Sequence, residues 1–304
     1  MTMELRVLRY FLAVAREQNI TAAAAKIHIT QPTLSKQLME LEAELGTQLL
    51  IRGKRKVTLT EEGEFLRQRA QELVNLADKT TADLQSRDSA ISGEIYIGAG
   101  ETRGMAFVAQ AMKQMQEQHP LVSFNLYSGD DEIIAERLDR GLLDFGLFVG
   151  LTDLSKYDYL RLPMVNRFGL LMRQDDPLSA HQTIEAQLLQ ELPLICPRQV
   201  LQQNDLSWWL GHGSERFKVV ATYSLLFNAA ILVEEGLGYA LCIDGLIENE
   251  RLCFKPLEQN NTAQLVFAWR RTSMLSQASK CFLEILKPLL KTSSVSSAGS
   301  SAQP

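Results

Sequence analysis

Over residues 4–17 the apolar side chains Leu5, Leu8, Phe11, Leu12 and Ala15 recur at three- and four-residue spacing, which predicts a helix with one apolar face. Asn19 and Thr21 mark a break, and their side-chain oxygens suit the cap of a second helix. Ala22 to Ala25 give that helix almost no bulk, so another helix axis can approach closely. Ile27-His28-Ile29 is too short for an element and reads as a turn. Thr30 then suits an N-cap, with Gln31 and Pro32 in the first turn, where proline's missing N–H costs little. Leu34, Leu38, Leu41 and Leu45 follow up to Gly46, a natural helix stop. At about 100° per residue, the side away from the leucines near the helix start carries Pro32, Thr33, Ser35 and Lys36.

Further along, Leu49-Leu50-Ile51 and Val57-Thr58-Leu59 flank Gly53, predicting a hairpin with Lys54, Arg55 and Lys56 at its tip and Arg52 at its base. Thr60 caps a long helix with an acidic first turn, expected over 61–90. Leu66, Ala70, Leu73, Ala77, Thr80 and Leu84 form a heptad-like seam, which predicts a dimerisation helix roughly 45 Å long. The alternative is packing of that helix on its own C-terminal body.

From 92 to 291 strand-like and helix-like runs alternate. Strands are expected at 94–100, 122–128, 143–150, 168–173, 192–197, 216–223, 238–243 and 263–271. Helices are expected near 105–118, 129–141, 184–189, 225–235, 245–249 and 275–290. Such alternation implies parallel sheets with right-handed crossovers. Residues 292–304, rich in serine and alanine, offer little to bury and are expected to be a disordered tail.

The length of 304 residues calls for two or three folding units. Net charge is −5, which by itself argues against a nucleic-acid partner. Its distribution reverses that argument. Residues 1–60 hold nine Lys/Arg and five acids, a surplus of four, so the remainder carries −9. The four cysteines, Cys196, Cys242, Cys253 and Cys281, lack metal-ligand spacing and are expected to be reduced thiols, with a redox pair the alternative. The start, MTMELRVLRYF, lacks a secretory apolar core, and no apolar run reaches spanning length, so a cytoplasmic protein is expected. The histidines lie in different predicted elements; no Ser–His–acid pattern, Gly-rich phosphate loop or HExxH is found, and no metal or cofactor is expected.

A small-residue helix beside one with a polar N-terminal side is what a helix–turn–helix requires: short hydroxyls and a lysine reach base edges and phosphates in the major groove. The bland alternative is two helices of an ordinary bundle with a solvated face. A basic hairpin directly afterwards favours DNA, since a wing reaches the adjacent minor groove or phosphates.

Together these features resemble the LysR-type transcriptional regulators. The landmarks are Gln-Pro-x-x-Ser at 31–35, Leu-Glu at 41–42, Glu-Leu-Gly at 44–46 and Leu-Thr-x-x-Gly at 59–63, in order. Two positions depart from the pattern: Leu50-Ile51-Arg52 replaces the usual Phe-x-Arg, and Lys36 stands where arginine is common. The resemblance implies an α/β chain with an N-terminal winged helix–turn–helix, a long linker helix and a two-lobed periplasmic-binding-protein-like effector domain. The expected divisions are 1–60, 61–90 and 91–291, with lobe I at about 92–162 plus 268–291 and lobe II at about 163–267. Crossing strands near Leu162 and Phe267 would form the hinge. Double-stranded DNA, a small-molecule effector with anions favoured, and further copies of the chain (dimers, paired into tetramers) are the implied partners.

Thr21, Gln31, Pro32, Thr33, Ser35, Lys36, Arg52, Lys54 and Arg55 are the expected DNA contacts. The cleft residues are nominated at strand ends: Gly100, Glu101, Thr102, Arg103, Ser128 and Phe148 in the first lobe, Arg198, Thr222 and Asp244 in the second. Thr102 and Ser128 would donate to ligand oxygens beside helix N-termini. Arg103 and Arg198 would clamp a carboxylate or phosphate, whereas Glu101 and Asp244 suit an amine. Two rivals remain. An enzyme would need a paired acid and base, for which Glu101 and Asp244 are poor candidates, and a solute-binding protein would need an export signal.

Overall fold

The computed structural model describes residues 3–53, 56–85, 91–150, 153–198, 217–258 and 262–296, without the side chains of 82–85 and 292–296. Of the disordered tail expected over 292–304, residues 292–296 instead continue the last helix; residues 297–304, residues 86–90 of the expected linker helix and the wing-tip residues Lys54 and Arg55 lie outside the described residues. The chain divides into two compact units, Met1–Gln85 and Ser86–Pro304.

In the first unit, helices α1 (Leu5–Glu17), α2 (Ile20–Lys26) and α3 (Gln31–Leu45) precede an antiparallel hairpin, β1 (Leu50–Arg52) and β2 (Val57–Leu59), and helix α4 (Glu61–Gln85). Asn19, not Thr21, caps α2, accepting from the Ala22 amide at 3.0 Å. Thr30 caps α3 through the Thr33 amide at 3.4 Å, and α3 ends at Gly46 with φ +67°, a conformation glycine adopts without strain. Ala23, Ala24, Leu34, Leu38 and Leu41 are all buried with Phe11 and Leu8 of α1.

The seam expected on α4 is divided between two faces. Leu66 and Ala70 are buried with Val74 in the core that holds α1, whereas Phe65, Leu73 and Leu76 are exposed. The i, i+4 row 66-70-74 drifts around the helix away from the exposed row, so one stripe serves the head's own core and another remains free.

The second unit starts with β3 (Gly93–Ala99), α5 (Met105–Gln118), β4 (Val122–Ser128), α6 (Asp131–Asp139) and β5 (Phe145–Val149). There follow the 17-residue β6 (Tyr157–Arg173), then β7 (Pro193–Pro197), β8 (Lys218–Tyr223), α7 (Leu226–Glu234), β9 (Tyr239–Ile243), β10 (Leu252–Pro256), β11 (Thr262–Arg270) and α8 (Gln277–Ser296). Strand β3 pairs in parallel with β4 and β5, and β7 in parallel with β8 and β9. Antiparallel β6 and β11 join the two parallel groups.

The first lobe's core gathers Ile95, Ile97, Leu162, Leu265 and Phe267 with Phe282 of α8. The second gathers Phe168, Leu170, Leu194, Leu241 and Ala263. The chain therefore changes core between Leu162 and Phe168 on β6, and between Leu265 and Ala263 on β11. There the ladder is irregular: Gln264 pairs with Val165 and Val266 with Arg161, which leaves Pro163 in the gap. Proline offers no ladder donor, so an irregularity is where a long strand tolerates it. The Gln264 side chain donates to the Leu162 carbonyl at 3.0 Å.

Two expected helices are absent. At 184–189 the Ile184 amide donates to Pro256 and its carbonyl accepts from Glu258, both at 2.9 Å. This pairing with the segment after β10 leaves only a 3₁₀ turn at Leu188–Gln190. At 245–249, Gly245 lies in a turn with φ +74° and residues 247–249 have no regular structure; five residues cannot repay helix nucleation.

Gly63 sits in the first turn of α4, where an added Cβ would lie 2.2 Å from the Leu49 carbonyl oxygen. Helix propensity favours alanine by about 1 kcal/mol, but overpacking costs typically about 1–3 kcal/mol. Gly63→Ala is therefore expected to destabilise the first unit in thermal unfolding followed by circular dichroism; a raised melting temperature would contradict this packing.

Candidate nucleic-acid interface and inter-lobe cleft

The buried leucine row of α3 holds the opposite side of its first turns outward. Gln31, Pro32, Thr33 and Lys36 are exposed and Ser35 is half-buried. The Lys36 ammonium lies 3.7 Å from Glu40, an exposed i, i+4 pair of the kind that contributes little and is readily exchanged. The Thr30 and Thr33 hydroxyls share a hydrogen bond at 2.8 Å. No acidic side chain lies in the first turn of α3, so its N-terminal partial positive charge is not offset there. Thr21 is exposed in the first turn of α2.

The hairpin turn is closed by the Gly53 amide donating to Lys56 at 3.0 Å, and Lys56 is exposed. Arg52 is engaged within the head: it donates to Ser35 Oγ at 3.3 Å and to Glu42 at 3.2 Å. Glu42 also accepts from the Leu49 and Leu50 amides at 2.9 and 3.0 Å. In the sequence Glu42 stands out only as part of the Leu-Glu landmark; its further signal is a carboxylate on the inward flank of an otherwise leucine-lined helix.

In the second unit the turn after β3 reaches across the lobes. The Glu101 carboxylate accepts from the Leu226 amide at the start of α7. Thr102 is buried, and its Oγ1 accepts from the Gly104 amide and from Asn166 Nδ2, both at 3.1 Å. Arg103 lies 3.6 Å from Glu248, both exposed. Asp244 accepts from the Arg167 amide at 2.9 Å and from its Nε at 3.0 Å. Thus neither Glu101 nor Asp244 stands free for a ligand amine. Ser128, Arg198 and Thr222 are exposed near their strand ends, and Gly100 is half-buried.

Phe148 does not face the cleft as expected. It is fully buried with Ile134 and Leu138 of α6, its ring 6.2 Å from that of Tyr157. Phe145 and Leu147 point into the other core. Both faces of β5 are covered, so the period of two leaves no open side. Asn166, Arg167 and Asp131 were missed. The first two lie on a stretch of β6 not recognised as strand, and Asp131 had only its place after the end of β4 to mark it.

The four cysteines are free thiols. Burial pushes Cys196 up to about 12 and raises Cys242 well above the usual thiol range, which leaves both unreactive. Cys281 Sγ lies 3.4 Å from His119 Nε2, and burial raises that thiol too. Among the described residues no cluster of three metal-ligating side chains exists, and no helix is long and apolar enough to cross a membrane.

Residues 5–64 match the family model for the bacterial regulatory helix-turn-helix protein, lysR family, and residues 88–291 match the LysR substrate binding domain. The chain belongs to the LysR family of transcriptional regulators. The regulator is 30% identical to the HTH-type transcriptional regulator BudR of Raoultella terrigena over 93% of its own length and 100% of that protein's. It is likewise 30% identical to the Hca operon transcriptional activator HcaR of Escherichia coli K12, over 95% and 98%. Its fold is similar to that of CbnR solved with its target DNA (TM-score 0.69, 18% identity, 94% of this chain and 100% of that one). Full-length BenM also resembles it (TM-score 0.55, 25% identity, 99% and 100%). The regulator is a DNA-binding protein with an effector-binding domain and forms oligomers, as its family does.

Asp131 opens α6 beside the ends of β3 and β5. Its carboxylate accepts from the Val149 amide at 3.2 Å, and one oxygen lies 3.7 Å from where a Cβ on Gly100 would be. Burial lifts its carboxyl from 3.8 to about 7; the Val149 hydrogen bond lowers it and Asp130 adds to the rise. The folded chain therefore holds a proton that the unfolded chain loses near 3.8. The associated stability is complete below that value and is lost as pH rises through about 7. Asp131→Asn is expected to raise the melting temperature relative to wild type more at about pH 8 than at about pH 5. An equal shift at both would contradict the assignment.

Proposed function

We propose that the regulator inserts the amino end of α3 into the major groove of duplex DNA. Thr33, Ser35 and Lys36 point outward, Gln31 and Pro32 lie at the tip, Thr21 is nearby, and the wing (Lys54, Arg55, Lys56) lies along the flanking backbone. One observation carries this reading: a buried leucine row on α3 opposes an exposed, short, uncharged and then basic row. Residues 1–60 form the reading head, α4 supplies the linker and dimerisation helix of the 61–90 segment, and 91–291 form the two-lobed effector domain. The exposed Phe65, Leu73 and Leu76 supply apolar surface for a second copy.

The effector occupies the cleft between the lobes, bordered by residues 100–103, Ser128, Arg198 and Thr222. Exposed Arg103 and Arg198 favour an anionic group there. Binding shifts the lobe equilibrium and with it the spacing of the DNA-reading heads. On this reading the protein is a cytoplasmic regulator and not an enzyme; Glu101 and Asp244, poor candidates for an acid–base pair, are each engaged in a hydrogen bond or ion pair.

Duplexes selected from a random library by the full-length protein provide the site for gel-shift titration. Lys36→Ala is expected to weaken binding and to lower the slope of log affinity against log salt by about one, the loss of one neutralised phosphate. Unchanged affinity and slope would contradict the docking.

A further inference from the structure

The wing arginine has a role apart from charge. We propose that Arg52 and Glu42 are positioning residues for Ser35: they hold its hydroxyl so that its proton faces an acceptor on the DNA. This rests on the reading of α3 as the DNA-contacting helix.

Ser35 and Glu42 stand seven residues apart, about two helical turns, on nearly the same side of α3. Glu42 is anchored first. One carboxylate oxygen takes the Leu49 and Leu50 amides at 2.9 and 3.0 Å, tying the helix to the start of β1. The other takes Arg52 Nη2 at 3.2 Å. The planar guanidinium then places Nη1 3.3 Å from Ser35 Oγ. A lysine has no second nitrogen in a fixed plane with which to bridge both partners.

The polarity of Ser35 follows. A hydroxyl has one donor and two acceptor sites. Helical Ser and Thr commonly donate back to a carbonyl four residues earlier, as Thr80 and Thr81 do in α4 at 2.7 and 2.9 Å. Among the described residues Arg52 is the hydrogen-bond partner of the Ser35 side chain, and it donates. The serine proton is thereby left for an outside acceptor. On a major-groove edge that means purine N7, guanine O6 or thymine O4; the amino groups of adenine and cytosine are disfavoured. Arg52 is neutralised by Glu42, whose side chain is only 15% exposed, so a phosphate contact would require breaking an established pair.

The test uses the full-length protein and the duplex it selects from a random library. Affinity is measured across salt concentrations for that duplex and for single-base-pair replacements. The proteins compared are wild type, S35A, R52A, R52K, E42Q and the S35A/R52A double variant, with thermal melts as a folding control. Loss of Ser35 or of Arg52 is expected to weaken binding roughly tenfold and to flatten preference at the same base pair. The double variant is expected to bind no worse than either single one. R52A should keep the wild-type salt slope, R52K should fail to restore the base preference, and E42Q should relax it. A salt slope lowered by about one in R52A, additive with S35A and restored by R52K, would overturn the proposal and make Arg52 a phosphate contact. Variants that lose stability and affinity alike, with base preference intact, would reduce the trio to a structural clamp and also overturn it. If the wild type selects no duplex, the reading of α3 itself fails.

Discussion

Burial of Leu34, Leu38 and Leu41 against α1 and the alanines of α2 is the constraint on which the DNA-reading head depends. Each buried leucine stabilises by about 1.5–3 kcal/mol relative to exposure, and together they fix which side of α3 faces water. Ala23 and Ala24 matter because they are small: a larger side chain at either position would push α3 away and turn its first turns. The polar amino end is thus presented by packing on the far side of the helix. Glu42 extends the same logic to the hairpin, since one carboxylate ties the wing backbone to the helix that it flanks.

In the second unit the equivalent constraint is that two strands serve two cores. β6 and β11 each leave one lobe and enter the other, with the irregular ladder at Pro163 and Gln264 marking the change. The lobes are therefore connected by a few residues, and the side chains just past the crossing on β6 are bonded one to each lobe. Asn166 donates to Thr102, and Arg167 holds Asp244. A ligand that engages the 100–103 turn acts on groups already bonded to the crossing strand or to α7, so differential binding to two lobe arrangements has a direct mechanical route.

Much of this was legible in the sequence where local and tertiary demands agreed. Helix α3 from Gln31 to a stop at Gly46, α5 and β4 follow directly from periodicity and caps, because burial there only reinforces local preference. Failures fall where distant groups decide. Ile184 belongs to a bridge with the segment after β10, so helix-like spacing at 184–189 misleads. Pro163 hides a strand that continues through it. Phe148 occupies a strand end, but both faces of β5 are covered by packed residues, and no pattern in five residues says so. Among the site residues, exposure of the α3 side chains could be read from helical geometry, whereas the partners of Arg52, Thr102 and Asp244 lie 10, 64 and 77 positions away. The linker helix shows a related limit: a heptad-like spacing cannot tell which of its leucines the head itself covers.

The central claim, that the amino end of α3 reads the major groove, is tested most directly by methylation interference on the selected duplex. Methyl groups at guanine N7 project into the major groove without altering the phosphates. The account predicts that modification at a few guanines within each half-site abolishes binding by the full-length protein, and that modification between half-sites does not. Binding indifferent to N7 methylation throughout the protected region would contradict it.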